Sequence, residues 1–353
     1  MTAQSTPSLS LGGRDEDRHS RSVLFPGIGP GGQEKIRRFS MAIVGVGAVG
    51  AAAAELSARA GVGRLTVIDR DVVEESNLSR QLLFDAADAE AVAPKASAAQ
   101  KRLGEIAPDT ATRGVVADLT SSNARGVLAG HDLVLDGSDN FETRLLVSDA
   151  ARSLDLPSIY AACLGEQGLL TVSMPGATPC LRCYLEDLPP AGSAPTCDTA
   201  GIVPTLPALV ASLAVTEALR IATGVDPSRG VLTLSVWRDG FRSARSFEEA
   251  GPRADCPVCA RTSFPALESE GSEIVKLCGR RSVQVAPSGR DRPDFDLLEE
   301  RLARVARVRR SPQLLNADLE GVSLTVFSDG RCVVRGTEDP GRARSLYDRY
   351  VGG

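Results

Sequence analysis

Apolar residues run through MAIVGV (41–46), and the chain then turns through GAVG into a stretch rich in small residues, GAAAAELSARAGVG. A short apolar run bounded by glycine predicts a buried strand. The alanine-rich stretch predicts a helix, with Gly61 placed to cap its carboxyl end. A second apolar run, RLTVID, completes a strand–helix–strand unit, and DLVLD (132–136), PSIYAAC (157–163) and GLLTVSM (168–174) add further strands. Together they predict an α/β fold, a doubly wound and mainly parallel sheet with helices on its faces. Residues 207–222, PALVASLAVTEALRIA, read as a largely buried helix ending at Gly224.

The pattern changes after a linker of Pro, Gly and charge, EEAGPRADCPVCARTSFPALESEGSE. Beyond it the chain predicts a small α+β domain. Its elements are a strand over VKLCGRRSVQV, an amphipathic helix capped by Asp294 (FDLLEERLARVARV), a hairpin over VSLTVFSDGRCVVRG and a short helix over GRARSLYDRYVGG. No internal repeat is present.

Composition then narrows the function classes. The chain has 353 residues and 42% apolar content, enough for a full core and more than one domain. A net charge of -5 offers no basic footprint for nucleic acid, so a protein or small-molecule partner is expected. No run reaches the roughly 20 apolar residues of a membrane span. MTAQSTPSLSLGGRDEDR lacks the apolar region of a secretory signal and reads as a short disordered leader of a cytoplasmic protein. Eight cysteines in such a protein point to metal or thiol chemistry rather than a disulfide framework.

Gly45, Gly47 and Gly50 form G-x-G-x-x-G between strand and helix, which allows backbone to approach phosphate at a helix N-terminus. NAD, FAD and ATP are all served by such a turn. Asp69 ends the second strand at the spacing of a ribose-binding carboxylate. In DRDVVEESNLSRQLLF, Asp71, Asn77, Arg80 and Gln81 lie on an irregular polar segment, with Lys95 close behind. A triphosphate needs cations at close range, and no G-x-x-x-x-G-K-[ST] loop supplies one, so Arg80 and Lys95 are candidates. The alternative is a solvated loop and helix start.

LVLDGSDNFETR ends a strand at Asp136 and places Asp139 and Asn140 at the carboxyl edge of the sheet, where oxygen ligands could hold Mg²⁺ against phosphates. Ordinary turn chemistry would use the same residue types. Cys180-Leu-Arg-Cys183 and Cys256-Pro-Val-Cys259 form two C-x-x-C knuckles, a closed tetrathiolate set for structural zinc. Redox-active thiols are the alternative reading.

These residues resemble the ubiquitin-activating-enzyme-like adenylyltransferases of the ThiF, MoeB and HesA group. The resemblance runs from RHSRSVLFPGIGPGGQEKIRRFSMAIVGVGAVG through GVGRLTVIDRDVVEESNLSRQLLF and DGSDNFETR to the two knuckles and TCDTAGI. It implies a Rossmann-like adenylation domain with a zinc site over residues 18–262, after a leader over 1–17. A linker over 263–272 and the small α+β domain over 273–353 would follow. It implies ATP-dependent adenylation of the C-terminal glycine carboxylate of a ubiquitin-like sulfur carrier ending in Gly-Gly, on a homodimer. The glycine turn and Asp69 would hold adenosine and ribose, and Asn77, Arg80, Gln81 and Lys95 the phosphates. Asp139 would ligate magnesium, Arg21 would enter the partner subunit's site, and Cys197 would be the candidate reactive thiol. About 80 residues after the linker are too few for a rhodanese domain, so a separate sulfur donor is expected.

A carboxylate is already ionised at neutral pH, so attack on the α-phosphorus of ATP needs no general base. The two histidines, His19 and His131, fit structural roles. Cys197 lies among Pro, Gly and Ser in LPPAGSAPTCDTAGI, a setting for a mobile thiol or a passive one. A nicotinamide oxidoreductase would use the glycines and Asp69 but leaves Arg80, Lys95 and the knuckles without a role. A non-catalytic scaffold binding a ubiquitin-like protein predicts no pyrophosphate chemistry.

Overall fold

The computed structural model describes residues 14–185, 197–238, 240–246, 251–269, 274–277, 281–286 and 292–352. The first sheet is built from β1 (Ser40–Val44), β2 (Arg64–Asp69), β3 (Ala111–Val116), β4 (Leu133–Asp136), β5 (Ser158–Leu164), β6 (Gln167–Ser173), β7 (Val231–Ser235) and β8 (Arg242–Ser246). Their order is β3-β2-β1-β4-β5-β6-β7-β8. The first five are parallel, and the last three continue antiparallel from β5.

Both faces of the parallel part are buried, which is why its strands read as continuous apolar runs. Met41, Ile43, Leu65, Val67, Leu133 and Leu135 point into one core with helices Ala48–Arg59, Lys95–Ile106 and Leu206–Thr223. Ala42, Val44, Ile68 and Val134 point into the other, against Ala124–Leu128 and Phe141–Ser153. Buried Ala51 to Ala54 let helix Ala48–Arg59 lie close to its neighbours.

Leu206–Thr223 has the length and composition of a membrane span, but half of it is buried within the fold. It packs on Ala48–Arg59, β5 and β6 as a core helix, and Gly224 caps it at φ +85°.

The second sheet is built from β9 (Ile274–Leu277), β10 (Ser282–Val285), β11 (Arg307–Arg310), β12 (Leu314–Leu319), β13 (Val322–Phe327) and β14 (Cys332–Arg335). Their order is β11-β12-β13-β14-β10-β9, antiparallel throughout. Helices Phe295–Leu302 and Pro340–Tyr350 cover one face.

Three expectations change. VKLCGRRSVQV is two paired strands rather than one. The helix capped by Asp294 stops at Leu302, and Arg307–Arg310 pairs with β12 instead. Its i, i+3/i+4 apolar pattern continues through ARVARV, so here long-range strand pairing overrides local helical periodicity. The supposed leader and linker both carry structure. Helix Arg14–Leu24 begins inside the former, and Pro265–Glu268 in the latter places Ala266 and Leu267 against the core.

Candidate active site and cysteine cluster

Because β1 leads through the chain to β2 on one side while β4 adjoins it on the other, a crevice opens at their carboxyl ends. The glycine turn fills one wall of it. Gly45 adopts φ +80°, and a Cβ there would meet Gly137 backbone at 3.0 Å. Gly50 lies so near the turn that its Cβ would stand 1.8 Å from the Gly45 carbonyl oxygen. Gly47, by contrast, borders open space. The first and third glycines are therefore needed for backbone packing, and the middle one leaves a bare cradle.

Asp69 stands at the end of β2, where one carboxylate oxygen accepts the Val46 N–H at 2.6 Å and the other the Asp71 N–H at 2.7 Å. Each oxygen keeps a second lone pair that a hydroxyl can use. Burial pushes its carboxyl above the usual range, and the Lys95 charge opposes that rise. Lys95 itself is buried at the start of its helix, with Nζ 3.6 Å from the Asp71 carboxylate. Burial would lower the Arg70 guanidinium, but the charges of Asp118, Asp71, Asp139 and Asp69 outweigh it and hold it charged.

A short 3₁₀ turn, Glu75–Asn77, follows. Buried Asn77 accepts the Glu74 N–H through Oδ1 at 3.1 Å, and its carbonyl oxygen accepts the Arg80 and Gln81 N–H groups. Arg80 NH1 donates to the Ser76 carbonyl at 2.7 Å. Gln81 is buried, and its Oε1 has no hydrogen-bond partner among the described residues.

On the β4 side, buried Asp136 accepts the Ser138 N–H at 2.9 Å, and Asn140 caps helix Phe141–Ser153 by accepting the Thr143 N–H at 2.8 Å. Of the three oxygen ligands suggested by sequence, two are thus engaged by backbone. Asp139 is the exposed carboxylate of the set. Arg144 donates to the Ser138 carbonyl at 3.2 Å and lies over Phe141 and Tyr160, which fixes this loop.

Away from the crevice, Cys180, Cys183, Cys256 and Cys259 place their sulfurs within 4.8 Å of one another. Individual separations are 3.9 Å (Cys180–Cys183), 3.6 Å (Cys180–Cys256) and 3.8 Å (Cys183–Cys259). Disulfides would need about 2.05 Å. Four thiolates bonded at about 2.3 Å to one tetrahedral ion sit about 3.8 Å apart, so this donor set can hold a metal. Burial pushes the Cys183 thiol up to about 11, with neighbouring sulfurs adding to the rise. It also raises Cys180. At Cys256 burial is outweighed by the N–H groups of Cys259 and Val258, and the thiol falls below its usual value. Asp149 anchors the first knuckle by accepting from Arg182 at 2.8 and 2.9 Å and, across the fold, from the Ala266 N–H at 2.9 Å.

Two predicted site residues lie elsewhere. Arg21 is exposed on helix Arg14–Leu24, which packs on Gly29–Arg38. Cys197 opens the short helix Cys197–Ala200, but its side chain and residues 186–196 lie outside the described residues. Arg70, Asp118 and Arg144 were not singled out by sequence. An arginine beside aspartates in sequence gives no sign that its partners come from three different loops.

A crevice of this kind, together with a separate four-cysteine cluster, defines a class, the nucleotide-binding type of α/β protein carrying a metal-type site. The chain matches the ThiF family over residues 19–258 and belongs to that family. It is 39% identical over 338 residues to the sulfur carrier protein ThiS adenylyltransferase of Bacillus subtilis, covering 95% of this chain and 99% of that protein. It is 40% identical over 250 residues to the sulfur carrier protein adenylyltransferase of Thermus thermophilus, covering 69% of this chain and 90% of that protein. Among solved structures, Escherichia coli MccB with MccA-N7isoASN shares the fold at TM-score 0.60 and 18% identity, over 70% of this chain and 76% of that one.

The buried carboxylate Asp136 yields a test of this geometry. Burial raises it above its ordinary value of 3.8, against hydrogen bonds from Ser138 and the Arg144 charge. Because the folded value is the higher one, its contribution to stability is fully present below pH 3.8 and lost as the pH rises through that folded value. Asp136→Asn keeps an acceptor for Ser138 and removes the charge. Its stability relative to the parent, from urea unfolding, is expected to increase between about pH 4 and pH 8. A difference that stays flat or falls would contradict the assigned environment.

Proposed function

We propose that this chain is an ATP-dependent adenylyltransferase that activates the C-terminal glycine carboxylate of a ubiquitin-like sulfur carrier. The observation that carries the reading is the convergence at one sheet edge of the bare Gly47 cradle, the Asp69 carboxylate and the buried Lys95. The likeness to two carrier adenylyltransferases supports the choice of substrate.

Asp69 receives the ribose hydroxyls, and the glycine turn and helix N-terminus receive phosphate. Lys95, Arg80, Asn77 and Gln81 hold the triphosphate, with Asp71 orienting Lys95. The carrier's terminal carboxylate forms a bond to the α-phosphorus, the bond from that phosphorus to the bridging oxygen breaks, and pyrophosphate leaves with the electron pair. Lys95 and Arg80 stabilise the charge that gathers on the phosphate oxygens. Magnesium bound at Asp139 would neutralise phosphate charge. Arg21, beside the exposed Leu24 and Phe25, would reach the neighbouring site in a homodimer, those apolar side chains being covered by the second copy. Cys197 would act on the adenylate or on sulfur in transit, with sulfur arriving from a separate donor. The carrier would serve thiamine, molybdopterin or tRNA thiolation in the cytoplasm.

The tetrathiolate set fits zinc, because all four donors come from the protein and leave no open position for catalysis. Its role is structural, joining two distant segments of the chain. One zinc per chain is expected by metal analysis, and Cys180→Ser or Cys259→Ser should remove it and lower the thermal midpoint. Freshly purified protein free of zinc would contradict this.

The catalytic assignment is tested by carrier-dependent ATP–pyrophosphate exchange. Asp139→Ala and Arg80→Ala are each expected to slow exchange by about 10²-fold or more while circular dichroism stays unchanged. Exchange at the parent rate in either variant would remove that residue from the mechanism.

A further inference from the structure

The face of the second sheet turned away from its helices is buried and carries several polar side chains. Alternation along β10, β12, β13 and β14 sends Val283, Leu315, Leu324 and Val334 toward the helices. The opposite positions hold Ser282, Gln284, Asn316, Thr325 and Arg335 beside the apolar Leu314, Phe327 and Val333, and all but Arg335 are buried.

What covers this face is the strand-end segment of the candidate nucleotide site. Arg331, 4% exposed, donates through NH1 to the Arg70 carbonyl at 2.9 Å. Its guanidinium is held from behind by Asp329 at 2.8 Å and stacks on Phe327 with 3.7 Å to the ring centre. Gln284 Nε2 donates to Asp118 at 2.7 Å, and the other oxygen of that carboxylate pairs with the Arg70 side chain at 3.2 Å. Arg335 pairs with Glu74 at 2.5 Å. Between these polar points, Leu314, Phe327 and Val333 pack on Val72 and Val92.

The other edge of the same segment touches the residues assigned to the triphosphate. Asp71 accepts the Lys95 N–H through its carbonyl at 2.9 Å and faces Lys95 Nζ through its carboxylate. Val73 donates to the Ala93 carbonyl at 2.8 Å, tying the segment to the turn that delivers Lys95. Glu74, the partner of Arg335, also receives the Asn77 N–H at its carbonyl and so starts the turn carrying Asn77, Arg80 and Gln81. Arg70 to Glu74 is therefore a strap with the C-terminal sheet on one side and the phosphate-binding groups on the other.

We propose that the C-terminal domain positions the ATP site, with Arg331, Arg335 and Gln284 as positioning residues that hold the Arg70–Glu74 strap. The inference rests on the adenylation reading. Polar contacts suit the task, because hydrogen bonds and ion pairs specify one register where apolar packing tolerates sliding.

The test uses the full chain with magnesium-ATP as the probe, read by calorimetric affinity and by the KM values for ATP and carrier in pyrophosphate exchange. Arg335→Glu and Arg331→Ala are each expected to weaken ATP binding by roughly tenfold, the equivalent of about 1.4 kcal/mol, with the carrier KM unchanged. Combining Arg335→Glu with Glu74→Arg restores the opposite-charge pair and should recover most of the affinity. Should Arg335→Glu fail to fold, Arg335→Gln is expected to show the same effect at smaller size. If the variants lose thermal stability but bind ATP as the parent does, the domain is merely structural and the proposal falls. An exchanged pair no better than Arg335→Glu alone overturns it too. A parent chain that binds no ATP overturns the adenylation reading itself, and this inference with it.

Discussion

Backbone must come very close to backbone where β1 and β4 end, and most of the site depends on that contact. Gly50 lies so close to the Gly45 carbonyl that no side chain could stand there, and Gly45, at positive φ, is tight against Gly137. This approach brings the helix N-terminus at Ala48 beside the Asp136–Asn140 loop. It also sets Val46 where its N–H can hold Asp69. Without it, the carboxylate at the end of β2 and the one exposed on the β4 loop would not share a crevice.

The crevice then has a charge problem that the surrounding structure resolves. Asp69, Asp71, Asp118 and Asp139 all act on Arg70, while Lys95 acts on Asp69 and Asp71. On the proposed function, an anionic nucleotide entering this network would meet cations already desolvated and oriented, so little reorganisation would remain at the moment of reaction. The carboxylates that orient those cations also confine them. Asp71 does so for Lys95, and Asp118 with the Gln284 amide does so for Arg70.

Much of this was legible in the sequence because it is local. The apolar runs marked β1, β2, β4, β5 and β6, the glycine spacing marked the turn, and Asp294 announced the helix it caps. The paired knuckles told of the cysteine cluster although more than seventy residues separate them, since thiol spacing within each knuckle is itself the signal. What escaped was long-range. Nothing beside Arg307 tells that β12 will claim it from a helix, and nothing near Arg331 tells that its hydrogen bond reaches back to Arg70. The commitment of the Asn140 oxygen to a helix cap was equally hidden, because a cap and a metal ligand call for the same residue type.

The chemistry itself can be followed with phosphate labels. The purified chain, a ubiquitin-like carrier ending in Gly-Gly and magnesium-ATP labelled at either the α or the γ phosphorus would be incubated and the products separated. Adenylation requires α-label on the carrier as an acid-stable, hydroxylamine-sensitive adduct and γ-label in pyrophosphate. Gamma-label in orthophosphate with ADP as co-product, or γ-label on the carrier, would contradict it.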